Sequence, residues 1–315
     1  MNPFSDSPAE TIAALGEQKL LTRIRRWLGS AMPAAPHGMG DDCAVLPAPR
    51  GTGRRRAALV TVDPVIYGEH FDAAIPPRAV GQKLLSRNLS DLAAMGGSPD
   101  AAVVALALDP RVRLDWLEGF YRGLAATARR HAVPLVGGDL ACHRGGLVAT
   151  LTLLGRAAGP RVLTRAGARI GDFIAVTGVL GGSLASGHHW RFTPRLAEGA
   201  WLAARPEVSA MMDLSDGLGK DLHALTPPRA RPALFEDLLP IRRGHDLRAA
   251  LGDGEDYELL FTLRGEPAAA RRLVMAWRKK FPRVPLTVIG RLEPASAPGA
   301  GTIDLSAHHG FEHFG

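Results

Sequence analysis

The chain has 315 residues, about two typical domain lengths. Its 46% hydrophobic and 22% charged content, with a mean hydropathy of +0.01, is that of a globular protein lacking any apolar run near the ~20 residues a membrane helix needs. A net charge of +7 and a pI near 10 raise nucleic acid as a partner, but the arginines are spread over every segment and the densest group, Arg54-Arg55-Arg56, has no aromatic neighbours for bases to stack on, so none is expected.

From the N-terminus, residues 1–18 lack the basic start and apolar centre of a secretory signal. Cys43 and Cys142 are the only cysteines, too few for a disulfide framework and without zinc-type spacing, so a cytoplasmic protein without a membrane partner is expected. Cys43 reads as a small buried apolar residue. Strands are predicted over Ala57 to Val62, Ala101 to Leu108, Val133 to Val136 and Leu147 to Leu154. Helical spacing of apolar residues marks Pro77 to Met95 and Leu114 to His131, the second through Leu117, Phe120, Tyr121, Leu124 and Ala128.

Gly, Pro and Arg interrupt the pattern between Arg156 and Arg169, which divides the chain into domains 1–156 and 157–315. The second half restarts with a strand from Phe173 to Thr177 and a Gly-rich link from Gly178 to Gly187. His188-His189 beside Trp190 reads as a solvated loop rather than a metal site. Further strands are predicted over Ser209 to Leu214, Tyr257 to Leu263 and Leu286 to Ile289, with helices over Leu218 to Leu225 and Pro267 to Lys280. Strands alternating with helices over short links predict an α/β or α+β architecture.

Aspartates recur where apolar runs meet glycines: Gly40-Asp41-Asp42, Val62-Asp63, Gly138-Asp139, Asp213-Leu214-Ser215-Asp216-Gly217 and Gly254-Glu255-Asp256. Taken singly, each motif is explained by helix capping and turns. Together they resemble strand ends converging on a ligand, with glycine allowing close backbone approach. Gathered carboxylates repel unless a cation lies among them or some of them are protonated. Magnesium suits an all-carboxylate set shared with phosphates, and no His or Cys stands near enough to argue for zinc. Asn88 and Asp91 share one face of the helix whose buried side is marked by Leu92 and Met95; that face is either solvated or turned toward a site. A phosphate loop, a dinucleotide fingerprint, the protein-kinase motifs and a nucleophile elbow are all missing, so nucleotide chemistry would need another cradle.

In this order, Gly40 to Leu46, Gly68-Glu69-His70-Phe71, Asn88 to Gly96, Gly137-Gly138-Asp139, Leu163-Thr164-Arg165, Asp213 to Leu218 and Gly254 to Leu259 resemble the thiamine-monophosphate kinase family of the aminoimidazole-ribonucleotide-synthetase-like ATP-binding superfamily. The resemblance implies a two-domain fold whose N-terminal domain forms a β-barrel with a second copy, giving a homodimer. It implies transfer of the ATP γ-phosphate to thiamine monophosphate without a phosphoenzyme, assisted by several Mg2+ ions. The implied metal positions are Asp42, Thr61, Val62, Asp63, Asp91, Asp139, Asp213 and Asp216. ATP contacts fall on Gly138, Asp139, Arg165 and Ser215, and thiamine contacts on His70, Glu255 and Phe311. The chain departs from the family at Val62, where a hydroxyl is usual, and in a short segment from Gly187 to Pro194.

Overall fold

The computed structural model describes residues 40–46, 56–299, 301–308 and 310–311, together with Lys19, Thr22, Arg23, Trp27 and His37. Segment 1–18 and Arg54-Arg55 therefore lie outside the described residues. Among the described residues, no helix is long and apolar enough to cross a membrane.

In the first half, β1 (Ala44–Leu46), β2 (Ala58–Ile66), β3 (Gly97–Leu108), β4 (Leu135–Cys142) and β5 (Leu147–Ala157) form one five-stranded sheet in the order β1-β2-β5-β3-β4. Only β3 and β4 run parallel. Helices α1 (Pro77–Ala94) and α2 (Leu114–Arg130) cover one face, with Leu84, Leu85, Leu89, Phe120 and Leu124 in a common core with Leu59, Val104, Leu151 and Leu153. The helices touch closely at glycines: a Cβ on Gly81 would lie 2.0 Å from the Phe120 carbonyl oxygen, and one on Gly123 1.9 Å from that of Arg78.

The second half holds α3 (His188–Arg191), α4 (Leu196–Ala203), α5 (Leu218–Leu225), α6 (Leu247–Gly252) and α7 (Pro267–Lys280). With them are β6 (Phe173–Thr177), β7 (Val208–Asp213), β8 (Ala230–Leu234), β9 (Leu259–Leu263) and β10 (Leu286–Pro294). These strands make an antiparallel sheet ordered β7-β9-β6-β10-β8. Strand side chains alternate in direction. Ile174, Val176, Met212 and Leu260 therefore meet α5 and α6, while Ala175, Met211, Leu259 and Phe261 meet α4 and α7. Burial on both faces explains why these strands read as unbroken apolar runs.

Helix α1 joins the halves: besides its own sheet and α2, it contacts α3, α4 and β7. It is buried nearly all round, including Lys83, Arg87, Asn88 and Ser90, so Leu92 and Met95 do not mark a single buried side.

The mixed α/β reading holds, and the structure corrects several boundaries. β2 does not stop at Val62 but continues through Pro64 to Ile66. Past Val60 its β1 side is unpaired, so the missing N–H of Pro64 costs no ladder bond. The strand expected over Val133 to Val136 runs instead over Leu135–Cys142; every residue of it is exposed, so it carries no buried-face alternation to read. Gly138 and Asp139 thus sit inside an edge strand, opposite Val104 and Ala105, rather than at a strand end. Among the described residues of one chain the first sheet is open, with β1 and β4 at its edges, and no closed barrel forms.

Candidate functional site

A cavity of about 980 Å3 opens between the two sheets and is lined from both halves of the chain. β2 brings Thr61 and Asp63, α1 brings Asp91, and β7 ends at Asp213, while the turn before β1 brings Asp41 and Asp42. Carboxylate oxygens of Asp42, Asp91 and Asp213 lie within 4.8 Å of one another. Each carboxylate is aimed by a neighbour. The Thr61 hydroxyl donates to Asp91 at 2.6 Å, the Ser90 hydroxyl donates to Asp213 at 2.6 Å, and the Arg165 Nη2 donates to Asp42 Oδ1 at 2.7 Å. Among the described residues, none donates to the buried Asp42 Oδ2.

Burial, then the charges of Asp63, Asp213 and Asp42, push the Asp91 carboxyl well above its ordinary range. Burial and Asp42 push Asp213 up to about 7. Such a cluster is held against its own repulsion and favours a cation. An all-oxygen set of three carboxylates, with one buried oxygen lacking a donor, fits a hard divalent ion such as Mg2+.

Asp63 and Asp216 line the same cavity beside cations: Arg87 Nε donates to Asp63 at 3.1 Å, and Lys220 Nζ lies 2.9 Å from Asp216. The loop after β7 is fixed by Asp221, whose Oδ2 accepts the main-chain N–H groups of Ser215, Asp216 and Gly217 at 3.0, 3.0 and 3.2 Å. This presents Ser215 to the cavity. Val62 is also at the cavity, and since its exposed hydrocarbon side chain carries no oxygen, only its main-chain carbonyl could meet a metal.

His70, Glu255, Tyr257 and Phe311 line the same cavity. Phe311 is anchored by its N–H to the Asp216 carbonyl at 3.0 Å and by Lys220 Nζ to its own carbonyl at 2.6 Å. Tyr257 stacks on Phe192 at 4.1 Å between ring centroids. Against the burial of Glu255, a hydrogen bond from His189 and the charge of Lys83 hold its carboxyl down to about 2.

Of the expected site positions, all but Gly138 and Asp139 line this one cavity. The reading of His188-His189 as a solvated loop is overturned. The pair begins α3, His189 is 5% exposed with Nδ1 3.1 Å from Lys83 Nζ, and His188 Nε2 lies 2.9 Å from the Asp256 carbonyl. Of the two readings open for Asn88 and Asp91, the solvated face fails: Asn88 is buried and Asp91 lines the cavity. Cys43 is 3% exposed, in the first core.

Sequence reasoning missed Lys83, Arg87, Asp221 and His189. One signal was available for the first two: charges at 83, 87 and 91 fall one per turn in a helix whose apolar residues already fill its other faces. His189 offered none, because its partners come from distant segments.

Residues 40–157 match the family model described as AIR synthase related protein, N-terminal domain, which gives the class of the first sheet and its two helices. A thiamine-monophosphate kinase of Salmonella typhimurium is 37% identical over 279 residues, covering 79% of this chain and 83% of that protein. One from Synechococcus elongatus is 32% identical and covers 96% of this chain and 98% of that protein. A solved structure described as AaThiL complexed with AMPPCP and TMP superposes with a TM-score of 0.79 at 27% identity, covering 98% of this chain and 100% of the other. The chain belongs to the thiamine-monophosphate kinase family.

Proposed function

We propose that this chain transfers the γ-phosphate of ATP to the phosphate of thiamine monophosphate, giving thiamine diphosphate and ADP by direct in-line, Mg2+-assisted transfer in a cytoplasmic setting. The observation that carries this is the single cavity in which the Asp42, Asp91 and Asp213 carboxylates stand beside Arg165, in a chain so similar to a protein complexed with AMPPCP and TMP.

With two phosphates as donor and acceptor, the barrier is set by bringing anions together in line, and positioning with charge neutralisation supplies most of the catalysis. Asp42, Asp91 and Asp213 would hold Mg2+, with Asp63, Asp216 and the Thr61 hydroxyl beside them; bound there, the ions would neutralise and align the phosphate oxygens. Arg165 has its Nε buried and without a partner while Nη2 grips Asp42, which suits a fixed cationic contact to a nucleotide phosphate. Ser215 would meet the same nucleotide. An acceptor phosphate oxygen already carries charge, so His70 needs no role as a base and serves with Glu255 and Phe311 as the wall against thiamine.

Gly138 and Asp139 are assigned to a site shared with a second copy. The β4 edge that carries them is exposed throughout and displays Leu135, Val136 and Leu140, with Val62 and Leu154 also exposed in the same sheet. A second copy covering this edge would close two open sheets into a barrel, remove a long apolar edge from water and complete the nucleotide pocket. A homodimer of two-domain chains, divided after residue 156, is the assembly this supports.

Incubation with γ-labelled ATP, Mg2+ and thiamine monophosphate tests the activity. Label is expected in thiamine diphosphate, and its absence with magnesium present rejects this function.

A further inference from the structure

Helix α1 presents Lys83, Arg87 and Asp91 on successive turns of one face. Asp91 and, through Asp63, Arg87 belong to the acidic lining of the cavity. Lys83 lies two turns before Asp91 and is 0% exposed. Its ammonium carries three N–H donors and meets three partners. These are Glu255 Oε1 at 2.7 Å, Glu255 Oε2 at 2.8 Å and the His70 carbonyl at 2.8 Å, while Nδ1 of His189, 3.1 Å from the ammonium, donates to Glu255. No donor remains for a ligand, so Lys83 acts only through these groups.

All three oxygens belong to Glu255 and His70, which line the cavity. Glu255 and Tyr257 both hold left-handed backbone, at φ +53° and +50°, which side chains of this kind adopt only where the surroundings enforce it. Main-chain bonds from Glu255 N to Ser215 O at 2.7 Å and from Tyr257 N to Leu214 O at 2.8 Å fix the path of the loop. They leave the Glu255 carboxylate to be aimed by side chains. The Tyr257 hydroxyl reaches it at only 3.3 Å and His189 lies at 3.3 Å, so the closest partner is Lys83, from the other half of the chain.

We infer that Lys83 is a positioning residue for the phosphate acceptor: it fixes the Glu255 carboxylate and the His70 carbonyl in the orientation that receives the cationic ring system of thiamine monophosphate, and so sets acceptor affinity without touching ATP or the reacting phosphates. This rests on the function proposed above. Burial lowers the Lys83 ammonium while Glu255 opposes that, so each ion keeps the other charged, and removing either leaves a buried unpaired charge. A clamp that merely joined the two halves would move stability and both substrates together. A positioning residue moves one substrate.

The test compares wild type, Lys83→Met, Glu255→Gln and the double variant by steady-state kinetics with ATP and thiamine monophosphate, and by titration calorimetry with thiamine monophosphate alone. Lys83→Met is expected to raise KM and Kd for thiamine monophosphate at least tenfold while KM for ATP stays within twofold. Because Lys83 acts on the acceptor chiefly through Glu255, adding Lys83→Met to Glu255→Gln should change the acceptor KM less than twofold. The double variant buries no unpaired charge and keeps the test open if Lys83→Met alone does not fold. Equal changes in both KM values, an unchanged acceptor KM, or multiplying effects in the double variant would overturn the role of Lys83. A wild-type protein that neither binds nor converts thiamine monophosphate would instead overturn the proposed function, and this inference with it.

Discussion

The Arg165 side chain donates to Asp42 Oδ1 at 2.7 Å while its main-chain N–H donates to Asp41 Oδ1 at the same distance. One residue, just beyond the first sheet, thus grips both members of the acidic pair that precedes β1. Asp42 holds the guanidinium even more firmly protonated than usual. Arg165→Ala strands a carboxylate whose side chain is 1% exposed, with a cost expected on the order of 3 kcal/mol in chelator-treated protein. Urea denaturation measures this. Arg165→Lys is expected to recover part of the stability but not the ATP affinity, since an ammonium cannot reproduce the fixed geometry of the fork.

Asp91→Asn should separate activity from folding. Burial and three neighbouring carboxylates already work against its charge, so the amide relieves repulsion, and Tm is expected to hold or rise. Turnover is expected to fall by about a hundredfold or more, the scale on which loss of one electrostatic group at a reacting centre is felt. Parallel losses of Tm and turnover would instead make Asp91 a structural residue.

Mg2+ should stabilise the folded chain without any substrate. At about a hundred times its Kd, a ligand binding only the folded state adds about 2.7 kcal/mol. A rise in Tm on adding Mg2+, reversed by chelator and absent in Asp213→Asn, is expected from calorimetry. An unchanged Tm in the parent protein would remove the metal from the cluster.

The acid limb of stability should carry the signature of Glu255. Its folded value of about 2 lies below the ordinary 4.5, so its contribution is full above 4.5 and is lost as pH falls from there toward 2. The difference corresponds to about 3 kcal/mol. In Glu255→Gln, stability measured by denaturant titration is expected to fall less steeply over that window than in the parent.

Leu140→Arg tests the exposed edge. Leu140 is 68% exposed in the single chain, so the substitution should leave the fold and its Tm within a degree or two of the parent where no partner covers it. Sedimentation is expected to show a dimer for the parent and a monomer for the variant, with ATP affinity lost alongside. A monomeric parent would return Asp139 to a surface role.

Several features were legible because they are local. Helices α5 and α7 and strand β6 fall where periodicity puts them, and the helix from Pro77 needs one residue of adjustment. The acidic motifs could be read as a group from composition and order, though each alone fits a cap or turn. By contrast, β4 escaped because all its side chains are exposed, and β8 because its five residues include Pro232 on an edge strand. The misreading of His189 has the same root: what buries it is Lys83 on a helix far away in sequence.

By itself, then, the sequence determined which carboxylates and cationic side chains were present, and the order of motifs that marks the family. Tertiary structure decided which of them meet. Asp42, Asp91 and Asp213 come from three unconnected segments and converge only because α1 crosses from one sheet to the other. Gly138 and Asp139 fit the same motif order yet stand on an outer edge, away from that cavity. Spacing along a chain fixes contacts within a helix or hairpin, where geometry is set by the backbone; distances between elements are set by which surfaces bury one another.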